Sequence, residues 1–292
     1  MIDLCITYIG PGFKYLEHLS RTAIELADNP KDINIRVSFH DGEDRKLLEP
    51  IKDRFASITQ AKSYRDRKIL FWPSANHSSA INALAKECTG DISIFSDYDM
   101  VFLKKGWDAE LLNLTCDIAG VVYQPFSLSI ETGWVKQNLP YLKDATICKY
   151  QKVPNLSFLV IKKKVLNEVF HKRLTNFDDF LSKGGVPFRI VNTYKMGLSS
   201  NLPPGVIQWM DTGYELPEII LENELSYSLL EHCGISILKQ YPRDQMMKLD
   251  VPEVFSLHGE PFLAHYKKGF KKTQKDNVYT WEMFVEDTKV PL

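Results

Sequence analysis

No stretch of the 292 residues approaches the ~18 consecutive apolar side chains that a membrane-spanning helix needs. The opening Met1-Ile2-Asp3-Leu4 has neither a basic segment nor a long apolar core, so no signal peptide is expected. Cysteine is sparse. The five, Cys5, Cys88, Cys116, Cys148 and Cys233, are scattered without a CxxC pair. That spacing speaks against a disulfide framework or a zinc site and for free thiols in a reducing compartment, hence a cytoplasmic location. A formal net charge of −1 removes any global pull toward nucleic acid or an anionic membrane. Internal repeats, heptads and low-complexity tracts are missing, and no Pro/Gly linker divides the chain. One continuous domain over 1–292 is the expectation.

What is present is an ordinary globular composition, 44% hydrophobic and 25% charged, with strand and helix signals alternating through the first half. Ile2–Tyr8 is an apolar run broken by Gly10-Pro11-Gly12. Leu16, Leu19, Ala23 and Ala27 then fall on one helical stripe. Ile33, Ile35, Val37 and Phe39 alternate with polar residues as a strand ending at His40-Asp41-Gly42. Lys46–Ile58 reads as a second helix and Ile69–Trp72 as a third strand stopped by Pro73. Ala80, Ile81, Leu84, Ala85 and Cys88 line a third helix between a Ser78 cap and a Gly90 stop. Ile92–Phe95 is the fourth strand.

Strands separated by helices predict an α/β fold with a mostly parallel central sheet covered by helices on both faces. The second half is less regular. Ile118–Tyr123, Leu156–Ile161 and Ile235–Leu238 read as strands, Lys162–His171 and Leu216–Cys233 as helices, and Phe180–Gly205 as loops around a site.

The apolar run Ile92–Ser96 delivers Asp97-Tyr98-Asp99. Alternation along a strand turns two carboxylates two residues apart the same way, and hard divalent cations favour oxygen ligands. Such a pair by itself is a common solvated turn. Here Asp41 follows the second strand and Asp97 and Asp99 the fourth, so all three fall on the carboxyl edge of the sheet, where ligands gather. The Lys267-Lys268-Gly269-Phe270-Lys271-Lys272 cluster, taken alone, reads as a solvated terminal segment.

Asn76 through Asn82, Gly90-Asp91, Ile94-Phe95-Ser96-Asp97-Tyr98-Asp99 and Trp107, in this order, resemble the GT-A (Rossmann-like) glycosyltransferases, particularly the family 2-like enzymes that use nucleotide-sugar donors. The resemblance runs from Ile2 to Leu114, with weaker matches near Asp211 and His258. It implies a nucleotide-sugar half over 1–115, a loop-rich acceptor half over 116–255 and a tail over 256–292 that closes over donor. Thr7, Tyr8, Asp41, Asn82 and Asp97 would contact the nucleotide. Asp97 and Asp99 would hold Mn²⁺ or Mg²⁺, completed by a C-terminal histidine, with His258 preferred to His265. Asp211 would be the general base of an inverting transfer, although Trp209-Met210-Asp211 replaces the family's Glu-Asp pair. Glu215, Glu222 and Glu224 compete with it, and Asp211 is also a plausible helix cap. Trp209 would face an acceptor. His265, Lys267 and Lys268 could reach acceptor or phosphates. Trp107 is expected in the core and Asp91 in a structural turn.

The expected activity is therefore metal-dependent transfer of a sugar, UDP-linked, to a hydroxyl of a glycan or another acceptor. Within the same class, transfer to a modified DNA base would need a basic groove that the net charge does not support. A sugar nucleotidylyltransferase would carry a longer, more basic first loop than Gly10-Pro11-Gly12-Phe13-Lys14. A non-catalytic sugar-nucleotide-binding module is disfavoured by the intact Asp97/Asp99 pair.

Overall fold

The computed structural model describes residues 1–8, 12–40, 42–61, 72–122, 154–167, 188–191, 206–209, 220, 223–232, 253–266, 282, 285–286 and 288. Strand β1 (Ile2–Thr7) leads to helix α1 (Phe13–Glu25), then β2 (Ile33–Phe39), α2 (Gly42–Leu48), β3 (Ser57–Gln60) and α3 (Trp72–Ala85). These are followed by β4 (Ile92–Asp97), β5 (Met100–Phe102), α4 (Trp107–Leu112), β6 (Ile118–Val122) and β7 (Pro154–Lys162). The later strands are β8 (Phe188–Val191), β9 (Val206–Trp209), β10 (Tyr227–His232), β11 (Glu253–Leu257) and β12 (Glu260–His265). Among the described residues no helix is long and apolar enough to cross a membrane.

Ten strands form one sheet in the order β3-β2-β1-β4-β7-β6-β10-β11-β12-β5, while β8 and β9 pair separately. From β3 to β4 every pairing is parallel, as strands joined by helical crossovers require. Beyond β4 the sheet is mixed: β7 runs antiparallel to both β4 and β6, and β10 returns to parallel pairing with β6.

The two faces of β1 show how helices cover both sides. Ile2, Leu4 and Ile6 share a buried cluster with Leu16, Leu19 and Ala23 of α1. Cys5, on the opposite face, packs with Ile81, Leu84 and Ala85 of α3. Each fully buried aliphatic side chain contributes about 1.5–3 kcal/mol, so these stripes fix which way each helix faces. Trp107 is fully buried, stacks on Phe102 at 4.0 Å between centroids and donates its indole N–H to Ala23 O, as its core assignment expects.

The end of α3 is fastened by acidic side chains. Asp3, wholly buried on β1, accepts the backbone N–H groups of Thr89 and Gly90 at 2.6 Å and the Arg36 guanidinium at 2.9 Å. Glu87 accepts the hydroxyls of Ser57 and Thr59 on β3. A Cβ at Gly90 would stand 2.8 Å from Met1 O, which is why the turn into β4 needs glycine.

Three expected elements differ. The helix over Lys46–Ile58 stops at Leu48, continues as a 3-10 turn over Glu49–Arg54, and gives way to β3. Pro50 removes an N–H that a continuing helix would need. Trp72, expected to close a strand, instead opens α3, with Pro73 in the first turn where its fixed φ is suited. Ser78 therefore lies inside that helix rather than capping it. Of the helix expected over Leu216–Cys233, Ile220 is helical and residues 216–219, 221–222 and 233 lie outside the described residues, but Tyr227–His232 forms strand β10. Its apolar residues satisfied a helical period, but pairing beside β6 satisfies its backbone within the sheet. β8 likewise falls inside the region read as loops. Of the helix expected over Lys162–His171, Lys162 ends β7 and a short helical turn spans Lys163–Val165; residues 168–171 and the strand expected over Ile235–Leu238 lie outside the described residues.

Candidate metal and nucleotide site

β4 is a central strand whose buried residues end abruptly at a carboxylate. Asp97 is its last residue and sits in register beside Thr7, the last residue of β1, so both mark the carboxyl edge of the parallel strands. Tyr98 and Asp99 form the turn into β5. Asp99 is thus placed by a turn, not by strand alternation, yet its carboxylate still converges with that of Asp97.

The sheet order explains the third member of the cluster. β5 follows β4 by two residues in the chain but occupies the sheet's far edge, with β7, β6, β10, β11 and β12 between them. The sheet therefore curls back on itself, and β12 lies directly against β5 with His265 opposite Met100. The Tyr266 N–H donates to Asp99 O at 2.9 Å. His265 Nε2 consequently stands 3.2 Å from Asp99 Oδ1. One ligand atom from each of Asp97, Asp99 and His265 lies within 4.8 Å of the others, a grouping that could hold a metal ion.

Two of the three ligand candidates have a further partner. His265 Nδ1 faces Glu253 Oε2 at 3.6 Å, from the residue paired with it across β11 and β12. His77 Nε2, from α3, lies within hydrogen-bonding reach of Asp97 Oδ1 at 3.2 Å. Burial opposes a charge on His265, but Asp99, together with Glu253 and Asp97, outweighs it and holds the imidazole up to about 10. Burial would likewise raise the Asp97 carboxyl, yet His77 and then His265 keep it below its ordinary value. An imidazolium thus supplies the positive charge that two neighbouring carboxylates demand.

The donor set fits a divalent cation. It offers two carboxylate oxygens, the hard ligands that divalent cations favour, and one imidazole nitrogen. A wall of tyrosines flanks the cluster. Tyr98 meets Tyr8 edge-on at 5.7 Å and Tyr15 at 6.0 Å, and Tyr15 lies 5.4 Å from Tyr266. Burial first, then Asp99, raises the Tyr15 phenol above its usual value.

Among the residues expected at the site, Asp97, Asp99 and His265 come together. Thr7 and Tyr8 are buried at the end of β1, and Asn82 is half-buried further along α3 than His77. His258 does not join the cluster. It is exposed in the turn between β11 and β12, where it and Gly259 adopt φ of 54° and 81° as a tight hairpin requires. The preference for His258 over His265 is thereby reversed in position, because strand pairing carries the later histidine, not the turn, to Asp99. Trp209 ends β9; Asp41, Asp211, Glu215, Glu222, Lys267 and Lys268 lie outside the described residues, and Glu224 is exposed in the turn before β10. Sequence reasoning missed His77 and Glu253. A lone histidine inside a helix and a lone acid on a strand carry no local signal.

No protein-family model matches the chain, and no curated protein matches it by sequence. Among solved structures, the chain is similar to mouse xyloside xylosyltransferase 1, with 10% identity over 78% of this chain and 85% of that one, at a TM-score of 0.44. It is also similar to the mannosyltransferase PcManGT of Pyrobaculum calidifontis, in complex with GDP-Man and Mn²⁺, with 16% identity over 57% of this chain and 45% of that one, at 0.35. A third likeness is to S. aureus TarS 1-349, with 15% identity over 42% of this chain and 35% of that one, at 0.32. The match thus takes in about a third of TarS 1-349 and under half of PcManGT. Likenesses this distant leave the functional argument to the chain's own geometry.

Proposed function

We propose that the protein is a metal-dependent glycosyltransferase that moves a sugar from a nucleotide-sugar donor, UDP-linked, to a hydroxyl acceptor. The observation that carries this reading is the convergence of Asp97, Asp99 and His265 at the carboxyl edge of the parallel strands, where α/β sheets bind ligands. Asp97, Asp99 and His265 would hold the cation, Mn²⁺ or Mg²⁺. When bound, that cation offsets the negative charge that builds on the departing diphosphate.

The chain's own residues would do the rest. Thr7, Tyr8, Asp41 and Asn82 bind and orient the nucleotide, and Tyr98 and Tyr15 screen the cluster from water on one side. Asp211 takes the proton of the acceptor hydroxyl, Trp209 lies under the acceptor, and Lys267 and Lys268 bind phosphate oxygens. The motif order along Ile2–Leu114 supports the nucleotide and metal roles, and the weaker match near Asp211 supports the base.

The test is a donor-hydrolysis screen across UDP- and GDP-sugars with Mn²⁺. Hydrolysis of one donor is expected, lost on chelation and lost in Asp99→Ala. Equal UDP affinity with and without Mn²⁺, measured by calorimetry, would overturn the metal assignment.

A further inference from the structure

Among the described residues, His77 is a titratable side chain against the cluster that the proposed chemistry leaves without a task. It belongs to α3, on the face of the sheet toward which Asp97 turns, whereas His265 and Asp99 reach the cluster from β12 and the β4–β5 turn. Its Nε2 lies 3.2 Å from Asp97 Oδ1, but His77 is not a member of the grouping whose ligand atoms lie within 4.8 Å of one another. It therefore meets Asp97 without being one of the grouped ligand candidates.

A carboxylate has two oxygens and rotates about one bond. With Oδ1 held against His77, rotation of the carboxylate is restrained, and with it the orientation that Asp97 offers to Asp99 and His265. Outer partners of this kind orient metal ligands and often decide affinity.

We infer that His77 is a positioning residue that fixes the Asp97 carboxylate for cation binding, an inference that rests on the metal-dependent reading above. In this role His77 is not itself a ligand and acts through Asp97. Since α3 is fastened to β1 and β3 through Asp3 and Glu87, the helix provides a rigid base for that contact.

The experiment titrates Mn²⁺ alone into the purified chain and follows loss of the free-ion EPR signal, with the melting temperature recorded for each variant. His77→Ala is expected to weaken Mn²⁺ binding by roughly 10–100-fold. His77→Gln, whose amide nitrogen reaches the place of Nε2, is expected to stay within a few-fold of wild type. A structural role alone would lower the melting temperature of His77→Ala and leave Mn²⁺ affinity unchanged, which overturns the inference. Equal weakening in His77→Ala and His77→Gln also overturns it. If the wild type binds no Mn²⁺, the metal-dependent reading fails, and this inference with it. Binding by the wild type with no loss in His77→Ala removes the inference and leaves that reading standing.

Discussion

Gly12 stands so close beneath the ring of Tyr98 that a Cβ on it would meet Tyr98 Cε2 at 2.2 Å. The φ of Gly12 is −82°, a value any residue adopts, so the need for glycine here is one of space and not of backbone freedom. Tyr98 is buried and wedged against Tyr8 and Tyr15, leaving its ring little room to swing aside. Gly12→Ala is therefore expected to cost about 1–3 kcal/mol in denaturant unfolding, as overpacking does. Because Tyr98 separates Asp97 from Asp99, the same variant should also weaken Mn²⁺ binding. An unchanged unfolding midpoint would count against the steric argument.

The cluster predicts a metal-linked stability. A ligand that binds only the folded chain adds about 2.7 kcal/mol at roughly 100 times its Kd. Mn²⁺ should accordingly raise the melting temperature, and a chelator should reverse the rise. Asp99→Asn and His265→Ala should abolish it. His258→Ala, in the exposed hairpin turn, should keep it in full, which makes the pair of histidine variants a direct reading of which one serves the site.

Asp3 predicts the largest loss outside the site. Its carboxylate is the shared acceptor for Arg36, Asn34, Thr89 N–H and Gly90 N–H. Removing it by Asp3→Ala strands two backbone donors and leaves the largely buried Arg36 guanidinium to Glu87 at 3.9 Å and Ser57 Oγ at 3.4 Å, at a cost of about 3 kcal/mol. Chemical denaturation should show this without a change in metal stoichiometry in the folded fraction.

His18 predicts an acid-sensitive contact. Arg21 Nη2 lies 2.9 Å from His18 Nδ1, and arginine can only donate, so Nδ1 accepts and Nε2–H donates to Thr288 Oγ1 at 3.0 Å. Burial first, then Arg21, lowers the imidazole to about 4. Unfolded, it titrates near ~6.5, so between those values only the unfolded chain takes up the proton. Stability is full above the unfolded value and falls as pH drops from there toward about 4. His18→Gln should flatten that part of the melting temperature against pH profile.

The sequence by itself determined the local frame. The four-residue alternation from Ile33 to Phe39 gave β2 its observed bounds, and the Leu16, Leu19, Ala23 stripe gave α1 its buried face. The run into Asp97 located the edge where the carboxylates stand. These signals are periodic, and period reflects which face of a single element is buried, so each is legible from neighbours in the chain.

Tertiary structure alone decided the partners. Nothing near Ser57 or Tyr227 distinguishes strand from helix strongly enough to override the apolar spacing; pairing beside β2 and β6 settles both. The placement of His265 rather than His258 beside Asp99, and of Glu253 beside His265, depends on the sheet curling until β12 meets β5. That closure is a long-range backbone pairing, and a side chain's distance to a residue far along the chain leaves no periodic trace in the sequence between them.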